Sequence, residues 1–145
     1  MKIQAIRTHN LCFEYPGRNG YLYAGGRVTG RVTTLVEVGT ESGLTGWGAT
    51  YAHPDLARVI IEDHLAPHLI GRDAGAIESI WDLMYGLTRW YGRKGVAISA
   101  LGGIDIALWD LRGKREGRPL WQILGGERGQ APAYASALFW KARPE

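Results

Sequence analysis

A single cysteine, Cys12, stands among the 145 residues, which excludes an intrachain disulfide and suits a reducing compartment, the cytoplasm. Cys12 itself reads as a small apolar filler on a first strand. No long apolar run opens the chain: MKIQAIRTHNL lacks the hydrophobic region of a secretory signal. The one long apolar stretch, residues 96–111, is interrupted by Asp105 and Asp110, so no membrane span is predicted. A basic stripe is missing as well. The formal net charge is +3, with Lys and Arg scattered among Asp and Glu, and this speaks against a nucleic-acid partner. Internal repeats and low-complexity linkers are absent. The 46% hydrophobic and 21% charged residues match a soluble globular protein with enough chain to bury a core.

What is present runs as strands first and helices afterwards. Residues 2–11 alternate Ile3, Ala5 and Arg7 against Gln4, Ile6 and Thr8, an untidy period of two. Residues 32–38 (VTTLVEV) are β-branched throughout, residues 39–43 (GTESG) supply a turn, and residues 44–50 (LTGWGAT) return as a hairpin partner. Gly46 and Gly48 flank Trp47 and predict close backbone approach or a bulge. Between the first two strands lie residues 14–31 (EYPGRNGYLYAGGRVTGR), rich in glycine and without a period, the character of a functional or mobile loop.

Helical signals begin at His53-Pro54-Asp55, with Leu56, Val59 and Ile60 as one stripe and Pro67 as the stop. Asp73 is placed to cap a second helix whose stripe is Ile77, Ile80, Trp81, Met84, Leu87 and Tyr91, broken by Gly92 and Gly95. Residues 96–116 form a third helix. Small residues alternate there with Ile98, Leu101, Ile104, Leu108 and Leu111, Asp110 and Lys114 stand one turn apart as an ion pair, and Gly117 with Pro119 ends it. Residues 130–140 (QAPAYASALFW) read as a last apolar strand without a partner. The expected fold class is α+β, a three-stranded antiparallel meander followed by a helical bundle.

The segments VTTLVEV with GLTGWG, LAPHLIGRD, IESIWDLMY and IDIALWDLRGKREGRPLWQILGG stand in an order and spacing that resemble the N-terminal part of the mandelate racemase and muconate lactonizing enzyme group of the enolase superfamily. The resemblance implies a capping domain over residues 1–126 and, over residues 127–145, the first strand of a TIM-type (β/α) barrel whose remaining strands lie outside this sequence. It implies a homo-oligomeric enzyme that uses Mg²⁺ to remove the proton alpha to a carboxylate. Its metal ligands and bases stand on later barrel strands, so no catalytic or metal residue is expected in these 145 residues, and the chain alone is expected to be inactive. The partners implied are the C-terminal barrel domain and a small carboxylate substrate, a hydroxy acid or sugar acid. Acid-sugar dehydration is the favoured reaction, and racemization or epimerization, cycloisomerization, and a stand-alone binding or assembly module are the alternatives.

Capping loops close over a barrel mouth and touch the distal part of the substrate. Carried onto this chain, the loops are residues 15–27 and 47–54, and the substrate-binding candidates are Tyr15, Arg18, Tyr21, Tyr23, Trp47, Tyr51 and His53. Each has a plainer reading: packing or loop decoration for the tyrosines, core for Trp47, a solvated charge for Arg18, and a helix start for His53. His64 and His68 read as local hydrogen-bonding residues, while Ser136, Leu138 and Trp140 belong to strand packing with an approach to the barrel mouth as the sharper reading. Ala49 stands where many relatives carry an acidic residue, so that carboxylate's role does not transfer. Asp105 and Asp110 are five apart, about 140° around a helix, which makes them a hydrogen-bonded packing residue and a surface or interface charge rather than an acid-base pair. Residues 92–95 (GRKG) lack the spacing of a phosphate loop.

Overall fold

The computed structural model describes residues 1–17, 20–23, 25–127 and 129–134, with Tyr23 described by its backbone alone. Among these residues the strands are β1 (Ile3–Glu14), β2 (Tyr21–Tyr23), β3 (Gly26–Val28), β4 (Gly30–Thr40) and β5 (Thr45–Thr50). β1, β4 and β5 form the expected antiparallel meander in that order, and β2 with β3 makes a separate two-stranded ribbon. Two expectations are corrected here. The first strand runs to Glu14 because β1 and β4 keep exchanging backbone hydrogen bonds as far as Glu14 opposite Gly30, and residues 14–31 contain the ribbon instead of being irregular throughout. The untidy alternation in β1 also has a physical cause. A register shift between Ile3 and Ala5 turns both Ile3 and Ile6 inward although they are three apart.

One face of the meander carries Ile6, Thr34, Val36, Val38, Gly46, Gly48 and Thr50, all buried, and lies under the helices. The chain then forms α1 (Pro54–Arg58), a π-helix (Val59–Leu65) and α2 (Ala66–Leu69) as one continuous rod. Its buried row is Ala57, Ile61, Leu65 and Leu69; Leu56 and Val59, expected to face inward, are exposed. Turns of the i→i+5 type are wider than 3.6 residues, so positions four apart stay on one face and the row rotates away from the three-to-four pattern. Pro67 does not stop the rod, because it sits in the first turn of α2 where a missing N–H leaves nothing unpaired. Glu62 on the π-helix accepts from the Thr8 amide at 2.7 Å and from its hydroxyl at 2.6 Å, which covers the free edge of β1.

α3 (Ile77–Thr88) buries Ile77, Ile80, Met84 and Thr88. It ends at Thr88, so Tyr91 lies beyond it and is exposed. Asp73 caps no helix: its carboxylate accepts from Gly75 N–H at 3.1 Å and pairs with the terminal ammonium of Met1 at 3.0 Å. Both interactions favour the ionised form and hold its pKa below the ordinary carboxylate value.

α4 (Val96–Glu116) is the central helix, with Ala97, Ala100, Leu101, Gly103, Ile104, Ala107, Leu108 and Leu111 buried. Gly117 ends it in the left-handed conformation at φ 61°, and α5 (Leu120–Ile123) follows. A Cβ on Gly46 or Gly48 would strike the carbonyls of Ala107 or Gly103, so the two glycines of β5 are where the sheet backbone rests directly on α4. No bulge interrupts β5. Cys12, expected as filler, is exposed, because β1 there has run past the helical layer. Residues 130–134 have no regular structure, and the rest of the expected final strand, including Ser136, Leu138 and Trp140, lies outside the described residues. No helix among the described residues is long and apolar enough to cross a membrane.

Candidate functional site

Beyond the helices the sheet continues as bare backbone ladder, and there the outward-facing row of β4 begins with Arg31. Strand alternation fixes this: Thr34, Val36 and Val38 point to the core, so Arg31, Thr33, Leu35 and Glu37 point away from it. Tyr15, just past the end of β1, and Tyr51, just past β5, continue the same outward parity on the neighbouring strands.

Arg31 gathers three of the sequence-derived candidates. Its Nε donates to the Tyr15 hydroxyl at 3.1 Å, and one Nη donates to the Tyr51 hydroxyl at 3.4 Å. The guanidinium also lies 5.3 Å from the centroid of the Tyr21 ring. Phe13 meets Tyr15 edge to face at 6.0 Å. The hydrogen bond to Tyr15, followed by the fields of Tyr15 and Tyr21, pushes the Arg31 pKa further above its ordinary value, so the cation is permanent. His53 stands at the N-terminal boundary of α1 and, with Arg31 and Tyr51, lines an open groove of about 380 Å³. That is within the size range of small-molecule sites.

The remaining candidates divide differently. Trp47 is not core: at 42% exposure it lies on the outer face of β5, stacked at a tilt on His9 with ring centroids 5.4 Å apart. It is opposite Glu37, six residues along β4 from Arg31, a separation of about 20 Å at roughly 3.3 Å per residue. Arg18 and the side chain of Tyr23 lie outside the described residues. His64 does not form the expected local bond. Its Nε2 is buried without a partner among the described residues, and its ring packs against His68 and Tyr91.

Asp110 lies where α4 meets β5. It pairs with Lys114 at 2.6 Å and accepts from the Trp47 amide at 2.8 Å, and Lys114 in turn donates to the Thr45 carbonyl at 2.9 Å. Asp105 has no hydrogen bond among the described residues, contrary to expectation, and burial alone raises its pKa. No cluster of three or more His, Cys, Asp or Glu able to hold a metal exists among the described residues, so they do not fit a resident cation.

Arg31 is the residue that sequence reasoning passed over. Periodicity held the signal: extending the alternation of Thr34, Val36 and Val38 backwards puts Arg31 on the outer face, diagonal to Tyr51 across the hairpin. The β-branched run begins only at Val32, and Gly30 and Arg31 ahead of it carry no strand signal of their own.

Residues 18–125 match the family model described as mandelate racemase / muconate lactonizing enzyme, N-terminal domain. The chain is 33% identical to an arabinonate dehydratase of Saccharolobus solfataricus over 99% of its own length and 39% of that protein's. It is 37% identical to a D-galactarolactone cycloisomerase of Agrobacterium fabrum over 96% of itself and 36% of the relative. Among solved structures, a racemase from Streptomyces coelicolor A3(2) with bound magnesium superimposes with a TM-score of 0.79 at 34% identity, covering 86% of this chain and 35% of that one. The chain thus spans less than two-fifths of the length of these relatives.

Proposed function

Since the chain belongs to the mandelate racemase and muconate lactonizing enzyme family, as its N-terminal domain, we propose that it is the specificity cap of a Mg²⁺-dependent enzyme that removes the proton alpha to a carboxylate. The observation that carries this reading is the convergence of Tyr15, Tyr21, Arg31, Tyr51 and His53 at the end of the sheet where β4 begins and β5 ends. Segments far apart in sequence, residues 15–31 and 51–53, supply these groups, and none of the five is a buried core residue. Polar side chains collected at a rim are suited to grip the far end of a small polar molecule and to exclude water from the reacting end.

Within that class the favoured reaction is dehydration of an acid sugar. A rim of one guanidinium and three phenols offers hydrogen bonds rather than apolar surface, which suits a hydroxylated acid. The barrel, with the metal ligands and the bases, is supplied by polypeptide outside residues 1–126, and residues 127–145 begin it. Assaying the polypeptide extended through that barrel, with Mg²⁺, against a panel of sugar acids tests the proposal. Formation of 2-keto-3-deoxy acids is the expected result, and turnover confined to aromatic or muconate-like acids would overturn it. Cycloisomerization is the second reading, favoured by the 37% identity to a lactone cycloisomerase. It predicts lactone consumption without loss of water. A compact and Mg²⁺-indifferent 145-residue protein, encoded alone, would instead favour a binding or assembly module.

A further inference from the structure

The hydrogen bonds around Arg31 leave donors and consume acceptors. A guanidinium carries five N–H groups; Tyr15 and Tyr51 take two, and three remain. Both phenol oxygens accept from Arg31, so each keeps its own O–H to give away. The Tyr21 ring lies over the guanidinium, and Arg31 is exposed. Arg31 makes no ion pair among the described residues, whereas Arg7, Arg58 and Arg112 each have a carboxylate within 4 Å. A cluster of donors with a permanent positive charge and no resident anion is complementary to a group that only accepts.

A sugar hydroxyl can accept from one or two of these donors but is neutral, while a planar carboxylate takes two parallel N–H bonds from a guanidinium edge, further O–H bonds from the side, and the charge as well. Building on the reading of this domain as the specificity cap, we infer that Arg31, Tyr15 and Tyr51 form a carboxylate subsite for the end of the substrate remote from the reacting carbon. The substrate class is therefore a dicarboxylic sugar acid, with one carboxylate at the reaction centre and the other on Arg31. Tyr21 positions the guanidinium and need not touch substrate.

The test uses the full-length enzyme with Mg²⁺ and pairs of acids of the same configuration, galactarate with galactonate and glucarate with gluconate. The wild type is expected to favour the dicarboxylate of a pair at least about tenfold in kcat/KM, and Arg31→Met to lower that value about 100-fold, chiefly through KM, at least about tenfold more than it lowers the value for the monocarboxylate. Arg31→Lys should fall between, keeping charge but losing the fork. A wild-type preference for the monocarboxylate, or for a monoacid phosphorylated at its far end, overturns the subsite, and so does an equal effect of Arg31→Met on both members of a pair. Any of these leaves the dehydratase reading standing. If no sugar acid is turned over, that reading fails instead, and titration calorimetry of galactarate decides the subsite separately: binding lost in Arg31→Met supports it, and binding unchanged or absent overturns it.

Discussion

Where β5 crosses α4, two glycines bring the sheet backbone onto Gly103 and Ala107 with no side chain between them. Twenty or so ångströms along the same sheet, beyond the last buried row, the strands carry Arg31, Tyr15 and Tyr51 into open space. One sheet thus serves two purposes. At the seam every atom is a constraint on the fold, and specificity of packing comes from residues with almost no side chain. At the rim the backbone ladder alone holds the strands, so side chains are free to be chosen for what they bind.

Changes at the seam should cost stability, and changes at the rim should cost recognition with the fold intact. The largest effect is expected for Gly48→Val. Its Cβ would meet the Gly103 carbonyl and lie 2.9 Å from the Ala107 amide, so either sheet or helix must shift. A loss of about 3 kcal/mol or failure to fold is expected in denaturant unfolding. Asp110→Ala removes the acceptor of the Trp47 amide and the partner of Lys114, and should cost about 1–2 kcal/mol by the same measurement. Gly86 in α3 supplies the contrast, because nothing lies within 4 Å of a Cβ built there. Gly86→Ala should therefore stabilise, by about 0.5–1 kcal/mol.

Asp105→Asn tests a carboxylate between the two regimes. Burial raises the Asp105 pKa, so the folded chain holds this proton more tightly than the unfolded one. The group's contribution is most favourable below its ordinary value of about 4 and is lost as pH rises through the folded pKa. The variant should melt higher than wild type at pH 7, with the gap closing toward about pH 4. A gap that does not change with pH would show that the carboxylate carries no such cost. The smallest effect on stability is expected for Arg31→Met, whose unfolding midpoint should match that of wild type, because the side chain covers no core. A large loss there would erase the distinction between seam and rim.

Much of the seam was legible in the residues. Gly46 and Gly48 around Trp47 announced close approach, Asp110 and Lys114 stood one helical turn apart, and Gly117 before Pro119 marked the end of α4. These are local signals, set by spacing along one element. The misreadings came from features that local spacing does not contain. Leu56 and Val59 were placed inward because a 3.6-residue period was assumed where the rod widens into a π-helix. Asp73 had a capping position but found the chain terminus, whose arrival beside it depends on how β1 lies. Of the rim, Tyr15, Tyr21, Tyr51 and His53 were named from the loops that carry them. Their shared partner was not, because Arg31 stands just ahead of Val32, where the β-branched run begins, and Gly30 and Arg31 carry no apolar signature.

The meander, the helices α3 and α4 with most of their apolar rows, and the family itself follow from the sequence alone, because burial imposes periodicity and tight turns impose glycine and proline. Which polar groups meet was decided only when three strands were laid side by side. Arg31 lies sixteen residues from Tyr15 and twenty from Tyr51, and no short-range rule acts over such distances. Register across the sheet brought them together, and register is a property of the whole packed core.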